Sequence, residues 1–215
     1  MRLRNYIFPA VTLLAFRSAP SRAQTAPAAQ NPAAQNPAAM DSAAEYNEAG
    51  RVSADGRLLP YLIRRLPVSS FPQLPAQIAA ELNARGCLVP QTYEAHRPEN
   101  VIHASLERAG SSDWAVLCSV HGEVTLLVFF GSHPAQAMQV ASAVEVQRLQ
   151  AQGAGDVLGF NWGIDPATPE QVQEAVRGSA LPALDHDAVS DSVIEHQTVY
   201  HYFAKGRWTV VEATE

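Results

Sequence analysis

Between Asp113 and Phe129 the chain reads DWAVLCSV, then His-Gly, then EVTLLVF, and this stretch limits the fold more than any other. β-Branched and aromatic residues dominate both arms, and the glycine between them argues against one buried helix. His121-Gly122 suits a two-residue hairpin turn, because Gly takes positive φ freely and His tolerates it better than most residues. That turn sets Val120 against Glu123, Cys118 against Thr125, Val116 against Leu127 and Trp114 against Phe129. The other face pairs Ala115 with Val128, Leu117 with Leu126 and Ser119 with Val124. Both faces are apolar, which predicts a central strand pair covered on each side.

Other elements follow from local signals. FPQLPAQIAAELNARG (71–86) predicts a helix, with Pro75 at its start, an apolar stripe of Leu74, Ile78, Ala79 and Leu82, and Gly86 at its end. A strand from Asn100 to Arg108 and a turn over Ala109–Ser112 precede the hairpin. From Pro134 to Gln152 the chain is rich in Ala, Gln and Val, which favours helix over strand, although VEVQRLQ also alternates. Gly153, Gly155 and Gly159 suggest a loop around DVLGFNWGID. Thr168-Pro169-Glu170-Gln171 has the signature of a capped helix start, with Val172 and Val176 facing the core and Gly178 ending it. SVIEHQTVYHYF and RWTVVEA flank Ala204-Lys205-Gly206, which suits a three-residue hairpin turn. The expected fold class is α+β: one domain whose antiparallel sheet is built from two hairpins, with a few packed helices.

The N-terminal end points to export. Residues 1–23 combine Arg2 and Arg4, the apolar core IFPAVTLLAF and a small residue at Ala23, as a signal peptide does. No stretch reaches eighteen apolar residues, so stable membrane insertion is not expected. Residues 24–56 form a Pro/Ala-rich spacer, expected to be disordered, and a lead-in. Residues 57–215 form the α+β domain, with its core from about residue 71. Whether 45–72 is an exposed amphipathic segment or a lead-in strand stays open. Removing the four arginines of the signal from the 15 Lys and Arg leaves 11 basic against 21 acidic residues, a formal charge of −10. That balance opposes nucleic acid and anionic membrane as partners. It fits cationic ligands or metal ions in sign, and solubility alone also explains it. The expected location is periplasmic or secreted.

Cys87 and Cys118 are the only two cysteines, and an oxidising compartment predicts a disulfide between them. Such a link is worth about 3–4 kcal/mol by loop closure. The alternative, one Cys as a nucleophile, is opposed by the position of Cys118 inside an apolar strand. The seven histidines lack zinc-site spacing, with His196 and His201 expected on opposite faces of one strand. Asp185, Asp187 and Asp191 concentrate oxygen ligands before the last hairpin. They read either as turn-forming acids or as an irregular calcium site. No nucleophile-elbow, Walker or dinucleotide motif is present, and no cofactor is expected. Trp162, Tyr200, Tyr202 and Trp208 are candidates for a ligand surface, although aromatics in a small β-rich domain are more often core.

Three runs carry a resemblance: GCLVPQ (86–91), NVIHASLERAGSSDWAVLCS (100–119) and HDAVSDSVIEHQTVYHYFAKGRW (186–208). They resemble a group of uncharacterised exported bacterial proteins, which implies an exported single domain and no particular activity. DWAVLC is also similar to the strand after the Asp-rich loop of FG-GAP repeats, but no D-x-D-x-D-G precedes it. The functional expectation is an exported, non-catalytic module binding a protein, peptide or glycan. The alternative is a periplasmic hydrolase using Cys87, or Asp187 with His186 or His196.

Overall fold

The apolar pair around His121-Gly122 lies at the centre of the molecule in the register its sequence dictates. A computed structural model describes residues 46–54, 56–151, 157–176 and 184–213. In chain order the strands begin with β1 (Glu48–Ala54), β2 (Arg57–Pro67), β3 (Leu88–Gln91), β4 (Val101–Ala104), β5 (Asp113–Val120) and β6 (Glu123–Phe129). They continue with β7 (Ala137–Val144), β8 (Leu149–Ala151), β9 (Leu158–Phe160), β10 (Trp162–Ala167), β11 (Ala188–Val193), β12 (Gln197–Ala204) and β13 (Arg207–Glu212). The α-helices among the described residues are α1 (Ala76–Ala84) and α2 (Pro169–Ala175).

The expected α+β class is therefore corrected to a mostly β protein. A nine-stranded mixed sheet runs β7-β6-β5-β3-β2-β9-β8, with β1 added on β2 and β4 on β5; a four-stranded sheet runs β10-β11-β12-β13. Three segments account for the difference. Within the segment 45–72 that the sequence leaves open, Glu48–Ala54 and Arg57–Pro67 form the β1–β2 hairpin, in which Gly50 leaves room for the Tyr61 ring opposite it. The Ala/Gln-rich run expected as helix is β7 and β8, joined by a 3-10 turn at Glu145–Gln147. Its Ala and Gln favour a helix in isolation, but pairing with the buried β6 outweighs a propensity difference of tenths of a kcal/mol per residue. The expected glycine loop contains β9 and β10, apart from residues outside the described set.

The β5–β6 hairpin has the predicted register throughout, with His121 at φ 52° and Gly122 at φ 81°. Its alternation divides the core in two. Trp114, Val116, Cys118, Leu127 and Phe129 join the cluster under α1, where Ile78 and Leu82 are buried. Ala115, Leu117, Val124, Leu126 and Val128 join a second cluster with Trp162, Ile164 and Val189 of the smaller sheet. The two sheets thus pack face to face. Burying one such Leu or Val contributes roughly 1.5–3 kcal/mol, so a hairpin buried on both faces contributes to both clusters at once. On the outer side of the smaller sheet, α2 packs Val172 against Ala188 and Tyr202. Its start is a capping box: Thr168 accepts from the Gln171 N–H, Gln171 reaches back to the Thr168 N–H, and Pro169 follows the cap. Val176 is buried and caps the helix end, and Gly178 lies outside the described residues.

Polar anchors join these layers. Asn100 is buried with φ 66°; its Nδ2 donates to the carbonyls of Pro90 (2.8 Å) and Trp162 (3.2 Å), and its Oδ1 accepts from Ile164 N–H (3.0 Å). One side chain therefore ties β3 to β10, across the two sheets. Asp113 is fully buried and accepts from the N–H groups of Leu106, Glu107 and Gly131, which fixes the loop between β4 and β5. That strand is shorter than the expected Asn100–Arg108, because the backbone after Ala104 turns to meet Asp113. At the C-terminal end, SVIEHQTVYHYF is two strands, β11 and β12, around Ile194-Glu195-His196, where Glu195 has φ 62°. His196 therefore lies in a turn and not on a shared strand with His201. The last hairpin turns through Lys205-Gly206 alone (φ 53° and 77°), with Ala204 paired to Arg207, so its turn has two residues instead of three.

Candidate functional site

The face of the large sheet under α1 is only partly covered. A nine-residue helix is about 13 Å long, whereas eight residues of strand extend about 27 Å. Gly86 (φ 71°) ends the helix and turns the chain into Cys87, which is bonded to Cys118 in the middle of β5 with Cα atoms 5.3 Å apart. Beyond that staple the sheet face is open. Two adjoining cavities of about 430 and 680 Å³ lie there and share Arg85, Val120 and His121. The larger is lined by Cys118 of β5, Thr125 and Leu127 of β6, and Ala137 and Gln139 of β7, neighbouring positions on one face of the sheet. The smaller reaches Glu48, Arg65 and Leu88.

The charge at the smaller end is internally balanced. Glu145 is buried (1% exposed) and accepts from Arg65 Nε at 3.0 Å; the Arg65 guanidinium also contacts Glu48 and the second Glu145 oxygen. Burial alone pushes the Arg65 pKa down, but the two carboxylates outweigh it and raise it. Tyr61 donates to Glu48 at 3.1 Å, and its phenol pKa is raised by burial and then by that carboxylate. Removing Arg65 would leave a buried, unpaired carboxylate, an arrangement that costs several kcal/mol in typical proteins. Arg85 is held by Glu81 one turn earlier at 2.7 Å. The groove thus has a mixed-charge rim, a small apolar and hydroxyl floor, and no Trp, Tyr or Phe in its lining.

The residues singled out from sequence are placed elsewhere. Trp162 is fully buried between the sheets, under the Arg148 guanidinium at 4.3 Å. Trp208 packs on the same inter-sheet side, 6.1 Å from Phe130 between ring centroids. Tyr200 and Tyr202 lie on the outer face with α2, so the four aromatics do not share one surface. Asp185 pairs with His186 (2.6 Å) and accepts from Tyr202 (3.2 Å), Asp187 accepts from Ser105 N–H (3.0 Å), and Asp191 pairs with His201 (2.9 Å). The three carboxylates are thus committed to different partners. Among the described residues no group of three His, Cys, Asp or Glu is placed to hold a metal ion.

The hydrolase constellation is also dispersed. Cys87 is in the disulfide, which leaves it no thiolate, and His186 faces Asp185 instead of Asp187. The Asp191–His201 pair, which the sequence reading missed, is 6% and 4% exposed, and His201 Nδ1 has no hydrogen-bond partner. A substrate has no approach to it. The pairing was hidden because the turn at Ile194–His196 brings β12 back beside β11 without a Gly or Asn to announce it.

The fold and groove define a two-sheet β protein with a disulfide-stapled, partly covered sheet face. No protein-family model matches the chain, and none of the curated proteins or solved structures compared with it matches either. Among the described residues no helix is long and apolar enough to cross a membrane. The disulfide is compatible with an oxidising compartment.

Proposed function

We propose that this chain is an exported binding module whose ligand is an extended peptide segment of another protein, held in the groove between the end of α1 and β7. The observation that carries this reading is the open groove itself: about 680 Å³ in its larger part, lined by Thr125, Leu127 and Gln139. Its lining offers hydrogen-bonding groups and small apolar patches, as an extended peptide requires. A glycan ordinarily stacks on Trp, Tyr or Phe rings, and the groove lining has none of these. The signal-like residues 1–23 and the disulfide support an exported location.

The test is selection from a displayed library of random peptides with the oxidised protein, followed by titration of the enriched peptides. Thr125→Trp fills the groove floor and should weaken those peptides at least tenfold while leaving the thermal midpoint near that of the parent. No enrichment, or enriched peptides indifferent to Thr125→Trp, would remove this reading.

A further inference from the structure

Strand β7 ends the large sheet. Among the described residues it pairs with β6 alone, and its outer backbone edge faces no other strand. Free edges are normally guarded by Lys, Pro, inward charges or short length. β7 is eight residues long, AMQVASAV, and contains no charge and no proline. Its one guard is a bulge: Leu126 pairs with Ala141 and Leu127 with Gln139, so Val140 is the extra residue.

That bulge gives β7 a symmetrical order of faces. Ala137, Gln139, Ser142 and Val144 sit opposite Phe129, Leu127, Thr125 and Glu123, on the α1 side of the sheet. Met138, Val140, Ala141 and Ala143 pack on the inter-sheet side. Read from either end, the sequence of faces is the same, with its centre between Val140 and Ala141.

We propose that β7 is the interface of a two-fold dimer, in which the β7 strands of two copies pair antiparallel about that centre. The two-fold axis is perpendicular to the sheet, so each copy keeps its α1 face on the same side. In this register Met138 meets Ala143 of the second copy, Val144 meets Ala137, Val140 meets Ala141, and Gln139 meets Ser142. Every large apolar side chain faces a small one on its own side of the sheet, and the two polar side chains face each other. Self-pairing brings any charge near its own copy, and like charges across a strand pair are destabilising. A strand with no charge meets that requirement. Val144 is 48% exposed in the single chain and would be covered. Because Gln139 and Ala137 also line the larger cavity, the grooves of the two copies would lie side by side across the seam. This inference stands apart from the identity of the groove ligand.

The experiment is sedimentation equilibrium of the mature oxidised protein from 1 to 200 µM, with two designed pairs of substitutions. The parent should be dimeric in this range. Q139K/S142K places lysines opposite each other and should raise the dimer dissociation constant at least tenfold. Q139K/S142E carries as many charges but sets the introduced lysine of one copy against the introduced glutamate of the other, and should dimerise at least as well as the parent. A monomeric parent at 200 µM overturns the proposal. So does a dimer indifferent to Q139K/S142K, or one disrupted equally by both pairs. Since both variants load the same two exposed positions, misfolding would show as a shared loss of thermal midpoint and not as a difference between them.

Discussion

Replacing Asn100 tests the claim that one polar side chain locks the two sheets together. Asn100→Ala leaves the carbonyls of Pro90 and Trp162 and the N–H of Ile164 without their partner, at a site only 2% exposed. Orphaned buried groups cost about 1–3 kcal/mol each, and partial relaxation brings the three together to about 3–5 kcal/mol. Ala must also hold φ at 66°, a left-handed conformation that costs about 1–2 kcal/mol for a residue with a Cβ. Asn100→Gly loses the same hydrogen bonds but not the backbone term, so it should be less destabilised than Asn100→Ala by about 1 kcal/mol. Asn100→Asp keeps the acceptor for Ile164 but sets a carboxylate oxygen against two carbonyls, and should be the worst of the three. Guanidinium unfolding followed by tryptophan fluorescence measures all three against the parent. A loss below about 1 kcal/mol for Asn100→Ala, or Gly destabilising more than Ala, would refute the reasoning.

The disulfide closes a loop of 31 residues, for which chain entropy predicts about 3.7 kcal/mol, so Cys87→Ala/Cys118→Ala should lose about 3–4 kcal/mol by the same unfolding assay. A loss under about 1 kcal/mol would show that α1 is held by packing alone. The Asp185 carboxyl has its pKa lowered by the hydrogen bond from His186 and then by Tyr202. Its contribution is therefore complete above the unfolded value of about 3.9 and is lost as pH falls through the lower folded value. Thermal midpoints of Asp185→Asn should fall less steeply than those of the parent below about pH 4, by a small margin because the side chain is 79% exposed. Parallel curves for the two proteins would contradict this.

What the sequence displays is local chemistry. The β5–β6 register was legible because a period of two and a His-Gly turn leave one pairing that buries both faces. The capping box at Thr168 and the helix stop at Gly86 were legible for the same reason. β7 was not, since Ala and Gln report propensity and say nothing of the exposed edge of β6 beside them. The turn at Glu195 was missed because left-handed backbone is normally sought at Gly or Asn, and here a glutamate adopts it. The candidate site was still less visible. It is the remainder of a sheet face after a short helix has been laid on it, a difference of lengths between elements that sequence pattern alone does not compare. Asn100 carries no motif, and its role exists only once β3 and β10 meet.

The parallel contact between β2 and β9 joins Tyr61 to Leu158 and Leu62 to Gly159, about a hundred residues apart along the chain. Closing a loop of this length has an entropy cost that must be met before the contact forms, and non-local pairings of this kind slow folding. An emerging chain holds β2 long before β9 exists, so the large sheet cannot be completed until the chain has been made as far as Phe160. The order of the strands along the chain thus postpones the completed sheet until β9 has been made.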